Sequence, residues 1–536
     1  MNRLFALTLL VPLLASPAVH ADDLAAGNWK ITSLTANGEI ALTSWLLKLE
    51  TTGGKTTATL ASANPSYPTP TLKSFMLKGD TVRIVLLVGG VNEQIFAGRL
   101  AGKDGMKVVG TLGTEELFYP AWMTPTDITE LDKADIVKGA GAAGAGLAAL
   151  NKLRVAKKDT PDDDLVKWSE TASKDAVTYG PAWQSSCDSA IASALLKHPT
   201  QVALAVEHAQ AAVKSLDATA SPTRQIKVLE TLALALQSAG RLEAGKDAME
   251  RVARLDRMLD KEYLAQGLPF KPDVFAGRKT DSRRAVVLEL FTGAQCPPCV
   301  AADLAFDALQ KTYKPSELVL IQYHMHIPGP DPLTNNDTEA RWNHYRKAFG
   351  KQIGGVPTAI INGKTLKVGG GPLAFAGKTY NAYREMIDPL LETPAVCQVK
   401  ASAGRRGDVI DIQAEVTAMA SPGPDKMLRL VLVEEVVAYG GGNKVRLHHH
   451  VVRALPGGAD GKAITDRDLQ VKASLDIAEL RKSLTAYLDG FVAARGPFPR
   501  LIRPMEMRDL RVIALVQDDT THEILQAAQV GVGEPQ

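Results

Sequence analysis

The 536-residue sequence is poor in cysteine: it has four, Cys187, Cys296, Cys299 and Cys397. Scaffolds that substitute cross-links for a core need a far higher density, so stability here must come from apolar cores. An excess of charge is also missing, since 61 Lys and Arg face 59 Asp and Glu and no large basic run occurs. The electrostatic footprint of a nucleic-acid-binding protein is therefore absent. Beyond the N-terminus no apolar run approaches the roughly 20 residues that a membrane-spanning helix needs. No Ser-His-Asp order, phosphate-binding loop or glycosidase-like carboxylate pair stands out from the spacing.

What is present is length, too much for one ordinary core, so several domains are expected. Arg3, the apolar "LFALTLLVPLLA" (Leu4–Ala15), and Val19 and Ala21 at the −3 and −1 positions predict a secretion signal over residues 1–21. The mature chain then starts near Asp22 and works in the periplasm or outside the cell.

The pattern along the chain predicts a multidomain α+β protein. Residues 22–125 read as a β-rich domain, from short Val, Leu and Thr runs broken by Gly-Asp and Gly-Gly turns. Residues 126–267 read as helical. Clear 3.6-residue periodicity begins near Ala182; Val202, Val206, Ala209, Val213 and Leu216 share one face. "LALALQSAGRLEAGKDAMERVARL" resembles a tetratricopeptide helix hairpin, although the internal step is 39 residues, as between Ala209 and Ala248, where that repeat has 34. The polar stretch Leu268–Arg284 marks a boundary. Residues 283–393 alternate strand and helix as a βαβ unit with further elements. Residues 394–536 return to β alternation, with an amphipathic helix over Asp476–Phe491, and predict a β-sandwich with one helical insertion.

Chemistry concentrates in "ELFTGAQCPPCVAADLAF" (residues 289–306). Cys296 and Cys299 close too small a loop to restrain the unfolded chain much, and a zinc site would need two further ligands at defined spacing. At the N-terminus of a helix, the remaining reading is a redox couple, because the helix end stabilises a thiolate. Cys296, at the tip, is expected to be the exposed nucleophile and Cys299 the resolving thiol. Downstream, "GGVPT" places Pro357 just before a strand.

Strand, CxxC, helix and a Val-Pro-Thr strand entry together resemble the thioredoxin superfamily, over roughly residues 283–392. "HMHIPGPDPLTNNDTEARWNHY" and "GGVPTAIINGK" are similar to a branch of secreted bacterial thioredoxin-like proteins. The resemblance implies a cis bond before Pro357, with this residue cradling substrate against Cys296 and Cys299. Two departures stand out. Gln295 occupies the place of a frequent Trp, and Leu290 the place of the family's buried acid, with Glu289 on the opposite strand face.

His324 and His326 alternate on the following strand and are expected to fix the "PGPDPL" loop; with Asp331 they are the weaker alternative of a metal site. His448–His450 are expected on a surface strand, with His448 and His450 on one side. Cys187 reads as a buried small hydrophobe, and a Cys187–Cys397 bridge is the one other pairing open. The function expected is a secreted or periplasmic thiol–disulfide oxidoreductase acting on protein thiols and disulfides. It needs no cofactor or metal, binds no nucleic acid and relies on a redox partner, while the helical domain has room for a protein partner. The alternative is a non-catalytic envelope binding or assembly protein.

Overall fold

The computed structural model describes residues 24–90, 92–101, 106–132, 137–217, 219–365 and 370–533. The secretion signal expected over residues 1–21 lies outside the described residues. The chain divides into two compact units, residues 1–255 and 256–536. Among the described residues no helix is long and apolar enough to cross a membrane.

In the first unit, eight strands form an antiparallel sheet: β1 (Gly27–Leu34), β2 (Ile40–Thr52), β3 (Lys55–Ala63), β4 (Thr71–Lys78), β5 (Thr81–Val88), β6 (Asn92–Leu100), β7 (Val108–Gly113) and β8 (Phe118–Thr126). Their order is β3-β2-β1-β8-β7-β6-β5-β4, with short β9 (Val137–Gly139) added on β2. Because the two edges are consecutive strands, the sheet curls into a near-barrel. Alternation sends Trp29 and Ile31, Leu47 and Leu49, and Ile84 and Leu86 to its interior.

Six helices follow: α1 (Ala145–Arg154), α2 (Asp162–Ala176), α3 (Pro181–Leu195), α4 (Val202–Lys214), α5 (Pro222–Ser238) and α6 (Leu242–Gln266), the unit boundary falling within the last. Proline at the first turn opens α3 and α5, where its missing N–H costs nothing. Leu147, Leu150, Trp183 and Ile191 pack together with Val109 and Phe118 of the sheet. One core therefore spans the domain boundary expected at 125/126. Helices also begin earlier than periodicity indicated. The buried face of α2 is Leu165, Ser169, Ala172 and Ala176, with a single large apolar residue to mark it.

The second unit contains β10 (Val286–Thr292), α7 (Val300–Thr312), β11 (Leu318–His324), α8 (Asn336–Phe349), β12 (Thr358–Ile361), β13 (Lys364–Thr365) and α9 (Ala376–Leu391). It continues with β14 (Gln398–Arg406), β15 (Val409–Thr417), β16 (Gly423–Ala438), β17 (Leu447–Ala454), β18 (Lys462–Ile464), β19 (Leu469–Asp476), α10 (Ile477–Arg495), β20 (Leu510–Asp518) and β21 (Ile524–Gly531). Strands β10 and β11 are parallel and buried along their whole length, which is why they read as unbroken apolar runs. Helices α7 and α9 cover one face through Phe306, Leu309, Tyr380 and Tyr383. Helix α8 covers the other through Trp342 and Tyr345.

The boundary expected at 393/394 divides elements that share a sheet. The order β13-β12-β10-β11-β17-β16-β20-β21 is continuous, with β17 lying parallel to β11. Val287, Phe291 and Ile321 share one core with Val433, Val452 and Ile513. The separate sheet β14-β15-β19 stacks on the C-terminal part of the long one, over Ile412, Val416, Leu430, Val512 and Ala514. The second unit is thus one layered body, and the C-terminal strands extend the sheet that carries the cysteine pair.

Strand β17 corrects the expectation of a surface strand for His448–His450. It lies between β11 and β16, so His448 is buried, with its ring edge-on to His324 at 4.7 Å. Burial holds His448 down to about 3, and the charge of His324 acts in the same direction. His450 has φ +51°, which breaks the simple alternation. His449 and His450 both meet α7, at Asp307 (2.7 Å) and at Phe306 (ring centroids 6.3 Å apart).

Candidate functional site

Strand β10 ends at Thr292, Gly293–Gln295 turn, and Cys296 precedes a 3₁₀ turn, Pro297–Cys299, that runs into α7. The junction follows from the sequence. Two prolines supply φ values suited to a first helical turn and remove N–H groups that would have no intrahelical acceptor. Cys296 and Cys299 are joined in a disulfide, with Cα atoms 5.3 Å apart. The Val356–Pro357 peptide is cis, and Val356 O lies 3.7 Å from Cys296 Sγ. The three residues singled out from sequence, Cys296, Cys299 and Pro357, therefore lie at one place.

Cys296 differs from the expected exposed tip. It is 1% exposed and Cys299 0%, whereas Pro297 and Pro298 face solvent. Neighbouring segments close in from both sides. Asn443 N donates to Ala294 O (3.0 Å), Asn443 Nδ2 to Gly293 O (3.3 Å) and Gly442 N to Gln295 Oε1 (3.0 Å). Past the pair, Gly371 N donates to Pro298 O (2.7 Å) and Ala301 N to Gly371 O (3.1 Å). Gln295 thus anchors the β16–β17 loop. That loop approaches so closely that a Cβ at Gly441 would lie 2.2 Å from Ala294 O. Replacing Gly441 with Ala must displace it, and overpacking of this kind costs about 1–3 kcal/mol. The expected result in urea unfolding is a lower midpoint, accompanied by faster reduction of the pair by dithiothreitol. An unchanged reduction rate would show that the loop does not limit access.

Below the pair lies a residue that the sequence reading missed. Asp303 follows Cys299 by four residues, one turn along α7, and is fully buried. Thr292 Oγ1 donates to its Oδ1 (2.7 Å), as does Gln322 Nε2 (3.2 Å), while Oδ2 has no partner. Burial pushes its carboxyl well above the usual carboxylate range, and the charges of Asp307 and Asp331 add to this against the Thr292 hydrogen bond. The available signal was its spacing: an acid in "AADLAF" on the helix stripe that also holds Cys299 and Phe306.

The Asp303 shift has a definite sign. An unfolded aspartate ionises near pH 3.9 and the folded one at higher pH, so ionisation opposes folding. The penalty is absent below the unfolded value and grows as pH rises toward the folded one. Asp303→Asn, close in shape and always neutral, is expected to gain stability over the wild type between about pH 3.5 and about pH 7. Urea midpoints at the two pH values check this, and a constant difference between the two proteins would contradict it.

Beyond Asp303 the polar chain continues inward. Gln322 Oε1 meets His324 Nε2 (3.1 Å), and His324 Nδ1 meets Asp331 Oδ2 (2.8 Å). Ala294 N also donates to Asp331 Oδ2 (2.7 Å) and Leu333 N to its Oδ1 (2.9 Å). Burial alone would raise Asp331, but His324 and the two backbone donors outweigh it and hold the carboxyl below its ordinary range. His326 Nδ1 accepts from Asp331 N (3.0 Å), and its ring stacks on Phe491 at 3.8 Å. Both histidines therefore fix the loop of residues 327–333 against the turn before Cys296. Among the described residues no group of three or more His, Cys, Asp or Glu side chains is arranged to hold a metal ion.

Cys187 and Cys397 are free and buried, each in a different apolar core. Burial pushes Cys397 up to about 11 and Cys187 further still, so neither is a nucleophile at neutral pH.

No protein-family model matches the chain, and no curated protein does. Among solved structures, an Agrobacterium tumefaciens protein from a structural genomics programme is 18% identical, with 47% of this chain and 96% of that one covered at a TM-score of 0.28. The Pseudomonas fluorescens alkylpurine DNA glycosylase AlkC, bound to DNA with an abasic-site analogue, is 11% identical, with 73% and 97% covered at a TM-score of 0.14. Likenesses at these scores carry no weight for fold or function.

Proposed function

We propose that this chain is a thiol–disulfide oxidoreductase of the thioredoxin type, working in the periplasm or outside the cell on protein dithiols or disulfides. The observation that carries the reading is the joined pair Cys296–Cys299 at a strand-to-helix junction, facing the carbonyl that precedes cis-Pro357. The N-terminal signal pattern agrees with a compartment in which such pairs cycle.

In the oxidised state a partner thiolate attacks Cys296 Sγ, the Cys296–Cys299 bond breaks, and the electron pair leaves on Cys299 Sγ. Asp303, neutral in this buried position, supplies the proton that this sulfur takes. The partner's second thiol, after losing its own proton, attacks the mixed disulfide and releases Cys296. Two electrons pass from the partner dithiol to the pair, and the protons released by the partner balance those taken up. Solvent reloads Asp303. Run in reverse, the same steps reduce a partner disulfide, and the direction follows from the reduction potential.

One observation favours the second reading, a binding or assembly protein with a structural disulfide: both sulfurs are buried. Exchange with a disulfide-bonded peptide, and with its dithiol form, separates the two. The oxidoreductase reading expects turnover in one direction that Cys296→Ser abolishes. Absence of turnover in both directions leaves the assembly protein.

A further inference from the structure

The first unit holds a cavity of about 360 Å³ between α3, α5 and the turn leading into β8. Its volume lies at the low end for small-molecule sites. The floor is aromatic: Trp183 meets Phe118 edge-on, and both Phe118 and Tyr119 have ring centroids 6.4 Å from it. On α3 the facing positions Ser186, Ala190 and Ser193 are small, and they leave the space open.

The charge lining this cavity is mostly basic, although Asp217 and Glu115 also act on Arg224 from beyond the lining. Arg154, Lys197, Arg224 and Lys227 line the cavity, and Glu116 is the one acid among the lining residues. In a chain whose total charge is nearly balanced, that local excess is a feature of the site. Arg224 sets its guanidinium over the Phe118 ring, 4.9 Å from the centroid. Its Nη2 is buried and has no hydrogen-bond partner. Buried donors are nearly always satisfied, and a guanidinium N–H pairs best with an anionic oxygen.

We propose that this cavity binds a small organic anion, with an apolar or aromatic body against Trp183 and Phe118 and a carboxylate on the Arg224 guanidinium. Lys227 and Arg154 add to the attraction without needing direct contact, and the size excludes a folded partner or a long chain. The site is separate from the cysteine pair and independent of how that pair is read.

The test uses 4-phenylbutyrate and its neutral amide, 4-phenylbutyramide, titrated calorimetrically onto the mature chain from residue 22. One saturable site is expected for the acid, with Kd at or below about 1 mM, and at least about tenfold weaker binding for the amide. Arg224→Gln is expected to weaken the acid about tenfold or more. Ser193→Phe, which fills the cavity from an exposed helix position, is expected to abolish binding with an unchanged circular dichroism spectrum. If Arg224→Gln does not fold, the acid–amide comparison on the wild type decides. No saturable binding up to about 10 mM, equal binding of acid and amide, or full binding by Ser193→Phe would each overturn the proposal.

Discussion

Cys299→Ser is expected to accumulate a covalent adduct between Cys296 and its partner, while turnover falls by at least about 10³-fold. The reason is local. Both cysteines are buried, but Cys296 stands before the 3₁₀ turn with its Sγ against the Val356 carbonyl, whereas Cys299 ends that turn at the start of α7. A lone Cys296 thiolate can still form the first mixed disulfide, but the sulfur that would displace the partner is gone. Cys296→Ser is expected to form no adduct at all. Non-reducing gels and peptide mass analysis read both variants. Adducts on Cys296→Ser but not on Cys299→Ser would reverse the assignment of nucleophile and resolving thiol.

The second large effect concerns the frame beneath the site. Glu289 projects from β10 to the face opposite Leu288 and Leu290 and is fully buried. Arg341 of α8 reaches it with two hydrogen bonds, Nε to Oε1 at 2.7 Å and Nη2 to Oε2 at 3.0 Å. The Tyr345 hydroxyl donates to the same carboxylate, and Arg341 Nη1 donates to Gln517 Oε1 of β20 (2.9 Å). Burial would raise Glu289, but the Arg341 charge and these hydrogen bonds outweigh it and hold the carboxyl below its ordinary range.

Arg341→Met leaves that carboxylate buried and unpaired, which costs about 3–5 kcal/mol. Against a domain stability of about 5–15 kcal/mol, a loss of that size brings the second unit close to unfolding. The double variant Glu289→Met with Arg341→Met removes both charges and is expected to recover most of the loss, because desolvation then has nothing to oppose. Urea unfolding of the two variants decides. Equal destabilisation by the single and the double would mean that packing, and not charge pairing, dominates here. In the wild type this stabilisation is present above the unfolded glutamate value near pH 4.3. It is lost as pH falls through the lowered folded value.

The elements nearest the chemistry were the most legible. Strands β10 and β11, helix α7 and the entry to β12 stand where the apolar runs and "CPPC" put them, because a parallel strand buried on both faces leaves an unmistakable sequence. Helix α2 escaped, since its buried face is mostly Ser and Ala. The placing of β17 escaped for a different reason. Gln322 pairs with Val451 across more than a hundred residues of chain, and local alternation carries no information on which sheet a strand will join. That single pairing buries His448, sets His449 and His450 against α7, and extends the sheet holding the cysteines into the C-terminal strands. Asp303 escaped because an aspartate in a helix is ordinarily solvated; here Thr292 and Gln322 enclose it. The burial of Cys296 escaped because it comes from residues 440–443, which approach from a distant part of the sequence.

The most direct test of the central claim is the reduction potential of the Cys296–Cys299 pair. The protein is equilibrated in glutathione buffers of graded ratio, trapped by alkylation and read peptide by peptide. A reversible two-electron transition is predicted between about −120 and about −270 mV, the span of known thiol–disulfide exchange proteins, with Cys296 alkylated before Cys299. A pair that stays oxidised below about −300 mV and reduces only on unfolding would contradict the account and identify the bond as structural.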